Sequence, residues 1–236
     1  MLRAIIFDFD GIIVDTEPTI YQVFREMAER EGWILTREEY FERYLALHDQ
    51  AFIHELFKSH GKKLRTGQLK ELVNWKKFHY ARRVEGGLLP LPGALEFIER
   101  VYPQYPLAIA TGSIRLEVEH LLGKLNLLHK FPVLVSADEF GPSKPDPECF
   151  LMALNRLRDL PKIARVGKDK LKAADCLVIE DSPGGLNGAH RAGMRCLGLA
   201  HSCSLEQLKD ADWSAQGYSE IDWESIVSEF SCEPSK

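Results

Sequence analysis

Five short apolar runs recur along the chain, and helix-length amphipathic stretches separate most of them. The runs cover residues 2–7, 106–110, 131–136, 176–179 and 194–199. Because they are hydrophobic throughout rather than alternating with polar residues, they are typical of strands that are buried on both faces. Strands that alternate with helices are joined by crossover connections. The sequence therefore predicts an α/β fold with a mostly parallel sheet covered by helices on both sides.

One long segment, residues 16–84, interrupts this alternation. It contains several helix-like spacings of apolar residues and no convincing strand. The pair Gly86 and Gly87 marks the return to the alternating pattern. We therefore predict an α-helical cap domain over residues 16–84, inserted into a core domain formed by residues 1–15 and 85–236. The alternative is that these helices pack on the sheet as part of one domain.

The composition is that of an ordinary globular protein, with 45% hydrophobic and 28% charged residues in a chain of 236. The net charge of −5 argues against nucleic-acid binding, which usually shows as a basic face. A basic stretch at residues 162–172 is interpreted as a solvated loop or helix face. The sequence contains no signal-peptide pattern, no apolar run approaching a membrane span and no Cys-x-x-Cys pair. We therefore expect a cytoplasmic monomer or weak dimer without nucleic-acid or membrane partners.

Two aspartates, Asp8 and Asp10, stand directly after the first apolar run, and Gly11 follows them. Acids clustered where a hydrophobic strand ends are costly unless a cation or a reaction uses them. The glycine indicates that the backbone bends where another group approaches closely. Asp-x-Asp-Gly is also a common turn sequence, and these residues alone leave that alternative open. A calcium loop is excluded, because the glycine comes too early and no glutamate closes a twelve-residue loop.

Polar residues also follow the second, third and fourth apolar runs. They are Thr111, Gly112 and Ser113 after the second run, Lys144 between two prolines after the third, and Glu180 and Asp181 after the fourth. Because open parallel sheets bind ligands beyond the carboxyl ends of their strands, we expect these residues to share one site with the first two aspartates. That number of hard oxygen ligands suits Mg²⁺. Taken singly, the Thr-Gly-Ser segment is also a good helix cap, and the lysine loop is also compatible with a plain surface loop.

These four motifs, in this order, resemble those of the haloacid dehalogenase-like superfamily over nearly the whole chain. The first motif is Asp-Phe-Asp-Gly-Ile-Ile-Val-Asp-Thr-Glu at residues 8–17, and the fourth is Ile-Glu-Asp-Ser-Pro-Gly-Gly at residues 179–185. The closer likeness is to the branch of phosphatases and phosphomutases that has a helical cap after the first motif. The resemblance implies a Rossmann-like core, an inserted helical cap and transfer of a phosphoryl group.

The resemblance also implies a role for each acid. Asp8 is expected to be the nucleophile that takes the phosphoryl group as an aspartyl phosphate, and Asp10 the general acid and base. Mg²⁺ is expected on Asp8, on the Asp10 carbonyl oxygen and on Asp181, with Glu180 near it. A proton carrier at Asp10 argues against a dehalogenase, because a halide leaving group needs no proton.

A phosphate-binding set is implied in the same way. Thr111 and the Gly112 amide are expected to hold phosphoryl oxygens, Lys144 to stabilise nucleophile and phosphate together, and Gly11 to belong to the same set. The physical requirement agrees with this assignment. A phosphate dianion repels the carboxylate that attacks it, so the site needs the positive charge of Lys144 and Mg²⁺.

The cap is expected to choose the substrate, because it would close over the core site and exclude water. It is similar to the caps of sugar-phosphate phosphatases and of β-phosphoglucomutases. The mutases have a histidine shortly after the first motif and a basic residue early in the cap. This chain has Ile20 in the first neighbourhood and His48 and Asp49 in the second. Lys76 or Lys77 is expected to contact substrate, and a solvated helix face is the alternative for both.

We predict from these residues a Mg²⁺-dependent phosphatase that hydrolyses a small soluble phosphomonoester, such as a sugar phosphate or phosphoglycolate. A phosphomutase similar to β-phosphoglucomutase is the first alternative. A non-catalytic haloacid dehalogenase-like protein that binds a metabolite or a protein partner is the second. Thr16 is interpreted as a hinge or cap residue rather than a direct ligand. The connection between Leu157 and Asp175 is longer than we expect for this fold, and no function is assigned to it.

Overall fold

A computed structural model of the chain describes residues 1–45, 47–85, 88–164 and 171–231. Its central feature is a six-stranded sheet in which every neighbouring pair of strands runs parallel. The strands are β1 (Ala4–Phe7), β2 (Leu107–Ala110), β3 (Val133–Val135), β4 (Cys176–Glu180), β5 (Arg195–Leu199) and β6 (Trp213–Ala215). Their order across the sheet is β3-β2-β1-β4-β5-β6. The predicted α/β fold with a parallel sheet is therefore confirmed.

The helices connect and cover these strands. They are α1 (Glu17–Arg30), α2 (Arg37–Arg43), α3 (Asp49–Ser59), α4 (Gln68–Val84), α5 (Ala94–Val101), α6 (Arg115–Lys124), α7 (Glu148–Asp159), α8 (Pro161–Ala164), α9 (Pro183–Arg191) and α10 (Trp223–Ser231). None of the helices within the described residues is long and apolar enough to cross a membrane. The glycine pair at 86–87, which marks the predicted return to the alternating pattern, lies outside the described residues. Residues 165–170 of the basic stretch lie outside them as well.

The sheet separates two apolar cores, and β1 contributes to both. Ile5 and Phe7 belong to one core, which α5, α6 and α10 complete. Ala4 and Ile6 belong to the other, which α7 and α9 complete. Successive side chains of a strand point to opposite faces of the sheet, so a four-residue run that is apolar throughout is buried on both sides. This burial explains why the strands are continuous hydrophobic runs rather than alternating ones.

The sequence did not predict the sixth strand, β6. It has three residues, Trp-Ser-Ala, and only the last of them is buried. It pairs with β5 alone, through Leu197 with Trp213 and Leu199 with Ala215. Three residues are too few to show the alternation of apolar and polar residues that predicts a strand. The segment is a strand because its backbone pairs with the edge of β5.

The regular structure described within residues 16–84 is entirely helical. Helices α1 to α4 share an apolar core of their own, in which the rings of Phe24 and Phe52 stack with centroids 3.7 Å apart. The chain leaves the sheet after β1 and returns to it before β2. A separate core is what a folding unit needs to bury its apolar faces. It supports the predicted division into cap and core domains, which stays a prediction.

The substitution Phe52→Ala tests that division. Phe52 is fully buried and also packs edge to face against Tyr44. Truncating a buried phenylalanine costs about 3–5 kcal/mol of unfolding free energy. If the cap is a separate unit, amide hydrogen exchange in Phe52→Ala should become faster in residues 17–84 and stay slow in the strands of the sheet.

The control for this substitution is Phe78→Ala on α4, because Phe78 is 58% exposed. It should change the unfolding free energy by no more than about 0.5 kcal/mol and leave exchange unaltered. An equal acceleration of exchange in the cap helices and in β1 to β5 of Phe52→Ala would show that the two parts unfold together, which contradicts the division.

Candidate active site

The first strand delivers Asp8 to the carboxyl edge of the sheet. Its N–H donates to the Ile179 carbonyl oxygen over 2.9 Å, which extends the pairing of β1 with β4 by one residue. The backbone then bends at Gly11, where φ is +70° and glycine is favoured. A Cβ atom at Gly11 would lie 1.9 Å from Asp181 Oδ2. The close approach expected at this glycine is therefore the approach of the Asp181 carboxylate.

Lys144 connects the acids of two strands. Its Nζ lies 2.8 Å from Asp8 Oδ1 and 2.6 Å from Glu180 Oε1, and its side chain is buried against the Phe150 ring. Burial disfavours the charged ammonium. The charges of Asp8 and Glu180 outweigh that effect and hold the pKa of Lys144 above its ordinary value. The lysine between two prolines is thus a buried cation at the centre of the site.

Glu180 accepts hydrogen bonds on both of its carboxylate oxygens. Its Oε2 accepts hydrogen bonds from the N–H groups of Asp181 and Ser182, at 2.9 and 3.0 Å, and from the Ser182 hydroxyl at 2.9 Å. Ser182 also caps α9 by accepting from the Gly185 N–H. A Cβ atom at Gly185 would lie 1.8 Å from Glu180 Oε1. The Ser-Pro-Gly-Gly segment therefore leaves room for a carboxylate at the helix N-terminus, where the helix dipole favours it.

Three buried carboxylates meet at the ends of β1 and β4. Asp8, Glu180 and Asp181 each offer an oxygen, and these oxygens lie within 4.8 Å of one another. Burial raises the pKa of Asp8 to about 7, although Lys144 acts in the opposite direction. Burial, followed by the charges of Glu180 and Asp8, raises the pKa of Asp181 well above its ordinary value. Three carboxylates buried this close together repel one another. Their ionised forms are therefore unfavourable without a further cation.

The donor set fits a divalent metal ion. Oδ2 of Asp181 is buried and has no hydrogen-bond partner, and an unpaired buried carboxylate oxygen is costly. The available ligands are hard oxygen atoms, which bind Mg²⁺ in preference to soft metals. These residues are therefore suited to hold a divalent cation between Asp8 and Asp181.

Asp10 lies beside this cluster and is held by hydroxyl groups. Thr16 donates to its Oδ1, and Thr111 and Ser113 donate to its Oδ2, over 3.2 and 2.7 Å. Thr16 is fully buried at the start of α1, so its interpretation as a hinge or cap residue missed this contact. Three hydroxyl donors therefore fix the orientation of this carboxylate.

The predicted phosphate-binding residues Thr111 and Gly112 lie next to Asp10. The Thr111 hydroxyl donates to Asp10 and accepts from the Ser113 N–H over 3.0 Å. Gly112 and Ser113 line the pocket in front of Asp8, together with Lys144. The roles assigned to Thr111 and Gly112 stay predictions. The structure adds Ser113, whose hydroxyl reaches Asp10 directly.

The segment predicted as a cap supplies the opposite wall of the pocket. Its contribution consists of Glu17, Ile20, Phe24, Tyr40, Leu45, Leu47, Asp49 and Lys76. Of the two predicted lysines, Lys76 is in this wall and is 1% exposed, whereas Lys77 is only partly buried and is outside it. Lys76 Nζ lies 3.1 Å from Asp49 Oδ1 and 3.2 Å from Glu117 Oε2. Glu117 belongs to α6, so the lysine joins α4 to a helix outside the predicted cap.

Cap and core also meet at the N-terminus of α3. Nε2 of His48 donates to the Gly141 carbonyl oxygen over 2.9 Å, and the His48 N–H donates to the Ser143 hydroxyl over 3.2 Å. Nδ1 of the same ring accepts from the Ala51 N–H and caps the helix. The loop that carries Lys144 is therefore braced by the cap. His48 is a structural contact in this arrangement.

Glu17 is a functional candidate that the sequence reasoning missed, although it ends the quoted first motif. It is buried and accepts a hydrogen bond from the Tyr40 hydroxyl over 2.9 Å. Burial, and then the charge of Asp10, raise the pKa of Glu17 to about 8. Its position after the Asp-Thr pair was a signal for it. Tyr40 had no sequence signal, because only the packing of the helices brings it to the pocket.

The substitution Glu17→Gln tests this burial through the pH dependence of stability. The pKa of Glu17 rises from 4.5 to about 8 on folding, so the folded protein keeps a proton that the unfolded chain releases. The contribution of Glu17 to the free energy of unfolding is complete below pH 4.5. It decreases as the pH rises to about 8, by up to about 1.4 kcal/mol per pH unit.

Urea unfolding should show a smaller loss of stability between the two pH values in Glu17→Gln than in the wild type. The exposed residue Glu29 of the same helix provides the control Glu29→Gln, which should follow the wild type. Identical pH dependences in all three proteins would contradict the burial of an uncharged Glu17.

The comparisons with known proteins identify the family of this chain. The profile of the haloacid dehalogenase-like hydrolases matches residues 5–199. A phosphorylated carbohydrates phosphatase from Thermotoga maritima is 32% identical over 204 residues, which cover 85% of this chain and 87% of the relative. A fructose-1-phosphate phosphatase from Escherichia coli is 28% identical over 200 residues, covering 81% and 93%.

The fold has solved counterparts as well. The crystal structure of a β-phosphoglucomutase from Clostridium difficile matches with a TM-score of 0.83 and covers 98% of each chain, at 22% identity. At that identity the match bears on the fold alone. The family profile spans well over half of the 236 residues, and the family resemblance read from the motifs is confirmed. The chain belongs to the haloacid dehalogenase-like hydrolases.

Proposed function

We propose that this protein is a Mg²⁺-dependent phosphatase that hydrolyses a small soluble phosphomonoester through an aspartyl-phosphate intermediate. One observation carries the proposal. A buried carboxylate, Asp8, is paired with the buried ammonium of Lys144 and lies beside both a metal-compatible acid pair and a second carboxylate that only hydroxyls hold. A nucleophile, a fixed cation and a separate proton carrier are what transfer of a phosphoryl group requires.

The chemistry assigned to these residues proceeds in two displacements. In the first, an oxygen of Asp8 forms a bond to phosphorus as the ester P–O bond breaks, and Asp10 gives a proton to the leaving oxygen. In the second, Asp10 takes a proton from water as the water oxygen attacks phosphorus, and the bond to Asp8 breaks. Lys144 stays on Asp8 and offsets the charge of the phosphoryl oxygens. A bound Mg²⁺ supplies further charge neutralisation there.

The relatives support a phosphorylated carbohydrate as the type of substrate, because that is what the Thermotoga maritima and Escherichia coli phosphatases are named for. The sequence also left phosphoglycolate open. The partner we propose is therefore a small-molecule phosphate ester, bound by one protein chain or a weak dimer in the cytoplasm. Cys149, Cys176, Cys196 and Cys203 are all free thiols, which is compatible with a reducing compartment.

The phosphomutase alternative is less well supported by the cap wall. A mutase passes through a sugar that carries two phosphates, because the phosphorylated enzyme returns its group to a sugar monophosphate. In the neighbourhoods where the mutases have a histidine and a basic residue, this chain has Ile20 and the pair His48-Asp49. Ile20 and Asp49 line the pocket, whereas His48 contacts Gly141 and Ser143. Phosphate release from β-glucose 1-phosphate indicates a phosphatase, and its conversion into another hexose phosphate without release indicates a mutase.

The non-catalytic alternative is opposed by the completeness of the acid set around Lys144. Asp8→Asn and Asp10→Asn distinguish it from an enzyme. Asp8→Asn should abolish turnover, because the amide is not a nucleophile, and Asp10→Asn should lower kcat by at least about 10²–10⁴-fold. Release of inorganic phosphate from a panel of phosphate esters is the measurement. The control is Asp15→Asn, at a half-exposed position five residues after Asp10, and it should keep wild-type activity.

Near-normal phosphate release from Asp8→Asn or Asp10→Asn would refute the mechanism. Absence of Mg²⁺-dependent release by the wild type across the whole panel would favour the non-catalytic alternative.

The metal assignment is tested by thermal unfolding with and without Mg²⁺. Binding to the folded state stabilises it by about 2.7 kcal/mol at a concentration of 100 times Kd, so the melting temperature should rise with Mg²⁺. Asp181→Asn should abolish this rise, because Oδ2 of Asp181 is the unpaired oxygen of the cluster. The exposed Asp210→Asn is the control. An equal rise in Asp181→Asn and the wild type would place the metal elsewhere.

A further inference from the structure

The loop after β5 reaches the same edge of the sheet as the acid cluster. It begins at Ala200, whose N–H donates to the Ala215 carbonyl oxygen over 2.9 Å and extends the pairing of β5 with β6. On its other side β5 pairs with β4, and Gly198 lies opposite Glu180. The loop therefore lies beside the end of β4. It carries Ser202, a residue outside the four strand-end motifs of the sequence.

The Ser202 hydroxyl and the Asp181 carboxylate face one common space. A Cβ atom at Gly11 would lie 2.6 Å from Ser202 Oγ and 1.9 Å from Asp181 Oδ2. Both oxygens are buried, and neither has a hydrogen-bond partner among the described residues. Unpaired buried polar atoms are costly. The two are complementary, because a hydroxyl has one hydrogen to donate and an ionised carboxylate only accepts.

The other groups near this space are less suited to serve Asp181. The buried ammonium of Lys144 is already shared by two other acids. The thiol of Cys203, next to Ser202 in the loop, is buried as well. A thiol is a weak hydrogen-bond donor, and it is a soft ligand in a cluster of hard oxygens. The loop is therefore suited to act on Asp181 through the hydroxyl of Ser202.

We propose, on the basis of the Mg²⁺-dependent function proposed above, that Ser202 is a positioning residue of the metal site. Its hydroxyl donates to the Asp181 carboxylate and holds it in the orientation that binds the cation. A carboxylate has about four lone-pair sites, so Asp181 accepts this hydrogen bond and ligates a metal at the same time. Hydrogen bonds to a metal ligand fix its orientation, and the loss of one typically lowers metal affinity by about 10–100-fold.

The Mg²⁺ affinity of Ser202→Ala tests the proposal. Loss of the hydroxyl should raise the Kd for Mg²⁺ by about 10–100-fold. The Kd is obtained from the dependence of the melting temperature on Mg²⁺ concentration. If Ser202 has a merely structural role, the melting temperature of Ser202→Ala should fall equally with and without Mg²⁺, and the Kd should not change. That result would overturn the proposal.

The control is Ser204→Ala in the same loop. Ser204 is exposed, and its hydroxyl donates to Gln207 Oε1 over 3.1 Å. Ser204→Ala should therefore keep the wild-type Kd. An equal loss of affinity in Ser204→Ala and Ser202→Ala would show a general effect of the loop, which contradicts a specific role of Ser202.

A matched pair of variants separates the hydroxyl from the shape of the side chain. Threonine and valine have the same branched shape, and only threonine has a hydroxyl. Ser202→Thr should therefore bind Mg²⁺ at least about tenfold more tightly than Ser202→Val. Equal affinities in this pair would refute the role of the hydroxyl. The comparison remains decisive if Ser202→Ala does not fold.

The same titration distinguishes this proposal from the proposed function. If the wild type binds Mg²⁺ and Ser202→Ala binds it equally well, the positioning role is refuted and the metal site stands. If the wild type shows no Mg²⁺-dependent rise in melting temperature, the metal assignment is refuted, and the positioning role with it. In the active enzyme, the Mg²⁺ concentration for half-maximal phosphate release should rise in Ser202→Ala by the same factor as the Kd.

Discussion

The contact between Lys144 and the two carboxylates of Asp8 and Glu180 is the interaction on which the rest of the site depends. All three side chains are buried, and removing one partner of a buried ion pair typically costs about 3–5 kcal/mol. The contact joins the loop after β3 to the ends of β1 and β4. It holds Asp8 in place, and it leaves the Asp181 carboxylate without a cation. The cluster of Asp8, Glu180 and Asp181 is therefore suited to a further cation.

The two sides of the pocket come from different parts of the chain. The strand ends carry Asp8, Glu180 and Asp181, so the positions of these acids follow from the sheet. The segment predicted as a cap supplies the other wall, in which Lys76 pairs with Asp49 of α3 and with Glu117 of α6. Contacts between helices that are far apart in the sequence therefore complete the pocket.

Much of the fold could be predicted, because parallel strands buried on both faces are visible as apolar runs. The predicted runs exceeded β1, β2, β3 and β5 by one to three residues, since hydrophobicity extends beyond the hydrogen-bonded ladder, and the run for β4 ended one residue early, at Ile179 instead of Glu180. The short edge strand β6 was missed, because its conformation comes from pairing with β5. In the site, the strand-end motifs marked the acids and Lys144. The contacts of Thr16 and Ser113 with Asp10 were not predicted, since each has an ordinary role as a helix start or turn.

The sequence by itself determined which chemistry is available. Strand periodicity and topology bring the ends of successive parallel strands to one edge, so the acids, hydroxyls and lysine that follow them had to meet there. The tertiary structure decided what surrounds that chemistry. Lys76 and Lys77 are equivalent in sequence, and the packing of α4 against α3 and α6 alone buries Lys76 between two acids. Ion pairs between helices that are far apart in the chain produce no periodic pattern of residues in the sequence, because they depend on how the helices pack.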